Sequence, residues 1–405
     1  MMMRRVYLDN NATTPVLPEV MEAMRPYFGE RFGNASSIHS HGQQTRAAVE
    51  RARESVAALI GCRPSEIVFT SGGTEADNLA VFGVVGPGSR AGIVGDGDHV
   101  ITSTIEHHAV LNACRHLEQI GCSVTYVPVD GRGVVDPEDV RRALRPSTKL
   151  ISIMFANNET GMVQPVAEIG AIAREADVYF HTDAVQAAGK IPVRVDEIGC
   201  DLLTLSAHKL HGPQGVGALY VRKGTALSAQ IYGGRHERSR RAGTENVPGI
   251  VGFGKASELA QAGFSRGDDL KMSEMRDRLE RELLGIEACG VNGTDTSRVP
   301  NTSNIYFDGI DGEALVIALD LKGLAVSTGA ACSSGAIEPS HVLMAMGMGA
   351  ERARASIRFS LGKMSSAEDV EFALGLVPET VGRLRKLSPV WKESRAASRE
   401  LRAIT

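Results

Sequence analysis

The 405-residue sequence predicts an α/β fold, in which helices cover a mostly parallel sheet and a smaller α+β domain follows. Three observations carry that expectation. Short β-rich runs alternate with helical patterns through the first two-thirds of the chain. Most of those runs are continuously apolar, as strands buried on both faces are, rather than alternating. Beyond about residue 256 the texture changes to long helical patterns around a mixed region.

Strands are expected at 66–70 (EIVFT), 99–105 (HVITSTI), 123–129 (SVTYVPV), 149–155 (KLISIMF), 178–183 (VYFHTD), 202–207 (LLTLSA) and 217–222 (GALYVR). Between them, 43–60 places Val49, Ala52, Val56 and Leu59 on one helical face. Asp136-Pro137 opens another helix with an N-cap and a first-turn proline. Later, helical patterns at 255–284 and 366–386 flank "SNIYFDGI" and "ASIRFSLG", and Ser365-x-x-Glu368 reads as a capping box. The expected division is a large domain over 16–255 and a small one from 1–15 plus 256–405.

Composition excludes several function classes. A net charge of −4 leaves no basic footprint for nucleic acid and no polybasic patch for a membrane. The opening "MMMRRVYLDNNATTP" has no apolar stretch behind its arginines, so it is not a secretory signal. No apolar run approaches the roughly 18 residues of a spanning helix. Six scattered cysteines without a C-x-x-C speak against a zinc ribbon or a disulfide framework, so no metal site is expected and a cytoplasmic protein is. "GPGSRA" at 86–91 matches a loose dinucleotide pattern but follows a helical stretch, and reads as a loop.

Ligands of open α/β sheets sit at the carboxyl ends of the strands. The first strand runs into "SGGTEADNLA", where Gly73 and Thr74 make either an anion cradle at a helix N-terminus or a tight turn. Further ends deliver His107 in "EHHAV", Asn158 in "ANNETG", and Asp183 with Gln186 one turn on. Each could be an ordinary cap or loop residue. The strand ending at Ala207 delivers Ser206, His208 and Lys209. Together these put an anion cradle, an acid, an imidazole, amides and a lysine on one rim. Pyridoxal phosphate needs all of them: an amine for its aldehyde, a carboxylate for its ring nitrogen, donors for its phosphate and a flat partner for its ring. A lysine amine, with a pKa of about 10.4, must lose its proton to react, and partial burial would help.

Cys332 stands apart in "LAVSTGAACSSGAIEPSHVL", a stretch over about 324–343 too rich in glycine and small residues to pack as core, and expected to be mobile and exposed. It is either an incidental loop cysteine or a nucleophile. Arg358 in "SIRFS" could bind a substrate carboxylate bidentately or form a structural salt bridge.

With these residues in place, the chain resembles, over nearly its whole length, the cysteine desulfurases of the NifS/IscS type, which are class V aminotransferase-like enzymes of pyridoxal-phosphate fold type I. The resemblance is carried by "YLDNNATTP", "GNASSIHSHG", "FTSGGTEADNLA", "IEHHAV", "NNETG", "HTDAVQAAGK", "LSAHKLHGPQGVGALY", "GGRHERSRRAGTEN", "GAACSSGAIEPSHVL" and "SIRFSLG". It implies that Lys209 bonds to the cofactor's aldehyde, Asp183 pairs with its ring nitrogen, and His107 stacks on the ring and helps move protons, with Lys209 or His107 as the base that removes the substrate's Cα proton. Gln186 and Asn158 would orient the ring, and Gly73, Thr74, Ser206 and His208 would bind phosphate. Thr244 would add a phosphate contact across a homodimer interface. Arg358, with Asn158, would bind the L-cysteine substrate. Cys332 would take its sulfur as a persulfide, leaving L-alanine, and pass it to an acceptor or iron–sulfur scaffold protein. The segment around Cys332 and the ending "LSPVWKESRAASRELRAIT" tilt the expectation toward a NifS-like member serving iron–sulfur cluster assembly. Competing possibilities are another class V enzyme (an aminotransferase or a selenocysteine lyase) and a sulfur-transfer scaffold without catalysis.

Overall fold

The computed structural model describes residues 4–85, 97–293, 297–329, 338–389 and 391–392. The "GPGSRA" segment and Cys332 lie outside them. A two-residue strand, Val6–Tyr7 (β1), opens the chain. Seven strands then build the main sheet: Ile67–Thr70 (β2), His99–Ser103 (β3), Ser123–Val127 (β4), Thr148–Ser152 (β5), Tyr179–Asp183 (β6), Leu202–Ser206 (β7) and Gly217–Val221 (β8). Their order is β2-β8-β7-β6-β5-β3-β4. The β4, β3, β5, β6 and β7 neighbours pair in parallel, and β8 runs antiparallel to both β7 and β2. All seven expected strands form. Several stop short of their apolar runs, because residues such as Ile105, Met154 and Phe155 turn out over the carboxyl edge and bury there instead.

Period-two alternation sorts the strand side chains between two helical layers. Ile67, Phe69, Ile101, Ile151, Phe180, Leu203 and Tyr220 share a core with the helices Ser40–Ile60, Val166–Glu175 and Val247–Ser265. Val68, Val100, Leu150, Leu202, Leu219 and Val221 face the helices Gly73–Val84 and His108–Gln119. The helix Pro137–Ala143 begins as expected, with the Asp136 side chain accepting a hydrogen bond from the Glu138 N–H.

Another core gathers Val6 and Leu8 with Leu279, Leu283, Ile305, Phe307, Leu315, Phe359, Val370 and Val377. It lies on a three-stranded antiparallel sheet of Cys289–Val291 (β9), Thr302–Phe307 (β10) and Ser356–Ser360 (β12), while Leu324–Ala325 (β11) pairs in parallel with β1. Two expectations need correction. The 255–284 pattern is two helices, Val247–Ser265 and Asp268–Leu283, because Gly267 adopts a left-handed φ of +68° that ends the helical path. The capping box lies one residue further on: Ser366 and Asp369 exchange the two bonds that start the helix Ala367–Leu387, while the Ser365 hydroxyl accepts from the Gly362 N–H. Among the described residues no helix is long and apolar enough to cross a membrane.

Candidate active site

The carboxyl ends of β2, β3, β5, β6 and β7 open into one cavity of about 370 Å³. Gly73, Thr74, His107, Asn158, Asp183, Gln186, Ser206, His208, Lys209 and Arg358 all line it. The described structure therefore brings together every expected residue except two. Thr244 is exposed in a separate groove with Ser71, Gly215 and Arg241, and Cys332 lies outside the described residues.

Lys209 follows β7 in a single 3-10 turn, Ala207–Lys209. Its Nζ donates to the carbonyls of Asn11 and Ala12, each at 2.7 Å. Burial lowers its pKa to about 8, helped by the Arg358 charge and opposed by Asp183 and Asp9. Asp183 closes β6, and its Oδ1 accepts from the Val185 N–H at 2.9 Å. Burial raises this carboxyl to about 6.

His107 is both the ordinary cap and the cavity wall. Its Nδ1 accepts from the Ala109 N–H at 3.2 Å, starting the helix His108–Gln119. Burial, then Lys209, lowers its pKa to about 4. It is therefore neutral near pH 7, and with Nδ1 serving as acceptor its proton sits on Nε2. His208, lowered to about 4 by burial and then Lys209, pairs its Nδ1 with the Thr13 hydroxyl at 3.1 Å.

Gly73 begins the helix Gly73–Val84, whose N-cap Gly72 supplies no side chain, so the first-turn N–H groups face the cavity end uncapped. A Cβ at Gly73 would meet Val185 Cγ2 at 3.0 Å and Ser206 Cβ at 3.6 Å, so only glycine fits without displacement. The Ser206 hydroxyl is buried beside it without a hydrogen-bond partner. An orphaned hydroxyl next to uncapped helix N–H groups is what a phosphate would satisfy. Asp183 and Lys209 share the cavity with it, so the residues present fit pyridoxal phosphate.

Arg358 is 4% exposed and half engaged: Nη2 pairs with Asp9 at 2.6 Å and Nη1 donates to the Asn158 carbonyl at 3.0 Å, while Nε has no partner. Of the two sequence alternatives the salt bridge is the one that forms, and it orients the guanidinium on the cavity wall.

Several residues of the site were not singled out from the sequence. Asn11 is a hub. Its carbonyl accepts from Lys209 and Gln186, its Oδ1 from Lys190 and Asn301, and its Nδ2 donates to the Asn158 carbonyl and the Thr302 hydroxyl. Lys190 is a second lysine here, buried and bonded to Gln186 Oε1 at 2.5 Å. Asp77 is buried against the cavity 3.6 Å from His181 Nε2, and burial together with Asp183 raises its pKa. The repeated amides of "YLDNNATTP" and the i,i+4 spacing of Gln186 and Lys190 were the available signals.

The Aminotransferase class-V family model matches residues 6–372. Cysteine desulfurase IscS of Dictyoglomus turgidum is 51% identical over 97% of this chain and 98% of its own. Cysteine desulfurase IscS of Methanosarcina thermophila is 51% identical over 96% of this chain and 94% of its own. The chain belongs to the cysteine desulfurases of the class-V aminotransferase family. A solved structure described as a NifS-like protein superposes with a TM-score of 0.87 at 38% identity, covering 94% of this chain and all of that one. The mostly parallel sheet flanked by helices is the architecture of NifS-like, fold-type-I structures.

Proposed function

We propose that this desulfurase binds pyridoxal 5'-phosphate on Lys209, converts L-cysteine to L-alanine, and takes the sulfur onto Cys332 as a persulfide for an acceptor or iron–sulfur scaffold protein. The single observation that supports this best is the convergence of Lys209, Asp183, His107 and the unpartnered Ser206 hydroxyl on one cavity beside Arg358. When bound, the cofactor supplies an electron sink for bonds at the substrate's α-carbon.

The chain's own residues do the rest. Gly73, Thr74, Ser206 and His208 hold the phosphate end. Asp183 holds the ring nitrogen, and Gln186 and Asn158 set the tilt of the ring. Arg358, oriented by Asp9, would bind the substrate carboxylate through its guanidinium. Lys209 is the base that takes the proton from the substrate's Cα, since its amine is neutralised near pH 8, while His107 carries its proton on Nε2 and is a donor. The Cys332 sulfur bonds to the substrate sulfur as the substrate's C–S bond breaks, and protonation of the carbon product gives alanine. Two subunits would share each site, with Thr244 of one reaching the other's phosphate, and the protein would work in the cytoplasm. The division into a large unit over 16–255 and a small one from 1–15 plus 256–405 is supported by the core that gathers Val6 and Leu8 with Val370 and Val377.

Mass spectrometry of the holoenzyme after L-cysteine tests the reaction. A mass gain of one sulfur on Cys332 is expected, with stoichiometric alanine. Alanine formed equally by Cys332→Ser, or pyruvate formed in its place, would overturn it.

A further inference from the structure

Building on the assignment of Cys332 as sulfur acceptor, we propose that Glu159 is a positioning residue: it anchors both flanks of the segment that carries Cys332, and so sets where the thiol is presented to the substrate cavity. Glu159 is 3% exposed and sits in the turn after β5. Its backbone is fixed from two sides, by its own N–H to Asn157 Oδ1 at 2.9 Å and by Asn304 Nδ2 to its carbonyl at 3.1 Å.

On the downstream flank, the Ser340 hydroxyl donates to Glu159 Oε2 at 2.5 Å. The same hydroxyl accepts from the Leu343 N–H at 3.2 Å, so this contact starts the helix His341–Ala345. His341 then binds the Glu106 carbonyl at 3.0 Å and lies 4.8 Å, ring to ring, from His108.

On the upstream flank, Gly329 lies flat against the same carboxylate. A Cβ there would meet Glu159 Cγ and Oε2 at 3.3 Å each, and its φ of +84° is one that glycine takes without strain. Ser327, two residues before, exchanges two backbone bonds with Arg358, at 2.7 and 3.3 Å.

The 324–343 stretch, expected from its composition to be mobile throughout, is thus tied at both ends among the described residues. The upstream anchor, Gly329, itself lines the cavity. A buried carboxylate is costly, and an apolar side chain would fill the same space more cheaply. Burial raises the Glu159 pKa, and the Ser340 hydroxyl is the first group that pulls it back. Glu159 also neighbours Asn158, whose carbonyl holds Arg358, so the flanks of the cysteine segment and the carboxylate site share one turn.

The test compares Glu159→Ala, Ser340→Ala and Glu159→Gln as holoenzymes, using visible spectra, L-cysteine titration, alanine formation and the rate of Cys332 alkylation by iodoacetamide. Glu159→Ala and Ser340→Ala are each expected to lower kcat by about tenfold or more and to change the alkylation rate severalfold. Cofactor spectrum and L-cysteine affinity stay within about threefold, since misplacing a reacting group spares binding. Glu159→Gln, whose amide oxygen can accept from Ser340, restores most of the rate. The double alanine variant is no worse than the poorer single one, as expected for one shared contact. Normal kcat and alkylation in both alanine variants would overturn the proposal, provided Cys332→Ser abolishes alanine formation. An active Cys332→Ser overturns the assignment of the acceptor instead, and the anchoring role with it.

Discussion

At the scale of the residue, two lysines compete for attention behind one cavity wall. Lys209 Nζ rests on two backbone carbonyls, and Lys190 Nζ on two side-chain amide oxygens, with Asn11 common to both. Lys209 lines the cavity with Asp183, whereas Lys190 is absorbed in holding Gln186. Its environment gives Lys209 a testable signature. An amine is a base only when unprotonated, and burial has lowered this one to about 8 from an ordinary value near 10.5. In the profile of kcat, activity is therefore expected to rise with pH and to level below the ordinary lysine range. A profile still climbing tenfold per unit beyond about pH 9 contradicts the assignment of Lys209 as base. The candidates at strand ends were legible because each follows a continuously apolar run. Asn11, Asp77 and Glu159 were not, because their roles come from contacts such as Asn11 to Lys209 that no spacing along the chain encodes, and Lys190 was signalled only by its i,i+4 spacing from Gln186.

At the scale of the element, the segment His236–Ser239 shows how the chain holds an unfavourable backbone next to the site. Glu237, Arg238 and Ser239 have φ values of 45°, 56° and 63°, and such left-handed residues cost roughly 1–2 kcal/mol each. Glu237 offsets that cost. Both its oxygens bind the buried Arg53 guanidinium at 2.7 Å, and one also accepts from the Phe69 N–H of β2. Downstream, Arg241 pairs with Glu75 in the first turn of the helix Gly73–Val84, which ties the segment leading to Thr244 to that helix's start. Glu237→Ala leaves the buried Arg53 guanidinium with only Glu50, at 3.3 Å, and the Ile67 carbonyl, and urea unfolding is expected to show a loss of about 3 kcal/mol. A loss below about 1 kcal/mol, the range of an exposed pair, would contradict this account of the segment. Most of the seven strands were readable from composition because burial on both faces leaves no polar alternation; the half-buried edge strand β4 was readable from its β-branched and aromatic residues. The break at Gly267 was not, since one glycine in a long amphipathic pattern is as compatible with a continuous helix as with a turn.

At the scale of the whole molecule, Val6 and Leu8 from one end of the chain pack with Val370 and Val377 from the other, so Asp9 and Asn11 are delivered to the sheet's edge by a core they help to build. The site is thus assembled from sequence positions some 350 residues apart, as the bond from Arg358 to Asp9 shows. Thr244 is exposed in its own groove, and under the proposed function it would meet the phosphate of a second copy. Mixing Lys209→Ala protein with Thr244→Ala protein under subunit exchange therefore restores activity above either parent, because one hybrid site has both groups intact. Mixtures that stay at the level of their parents contradict a shared site.

The most direct measurement is reduction of the holoenzyme with sodium borohydride, followed by digestion and identification of the peptide that retains the cofactor. The label is predicted on Lys209 alone. A label on Lys190, or a protein that retains none, contradicts the account.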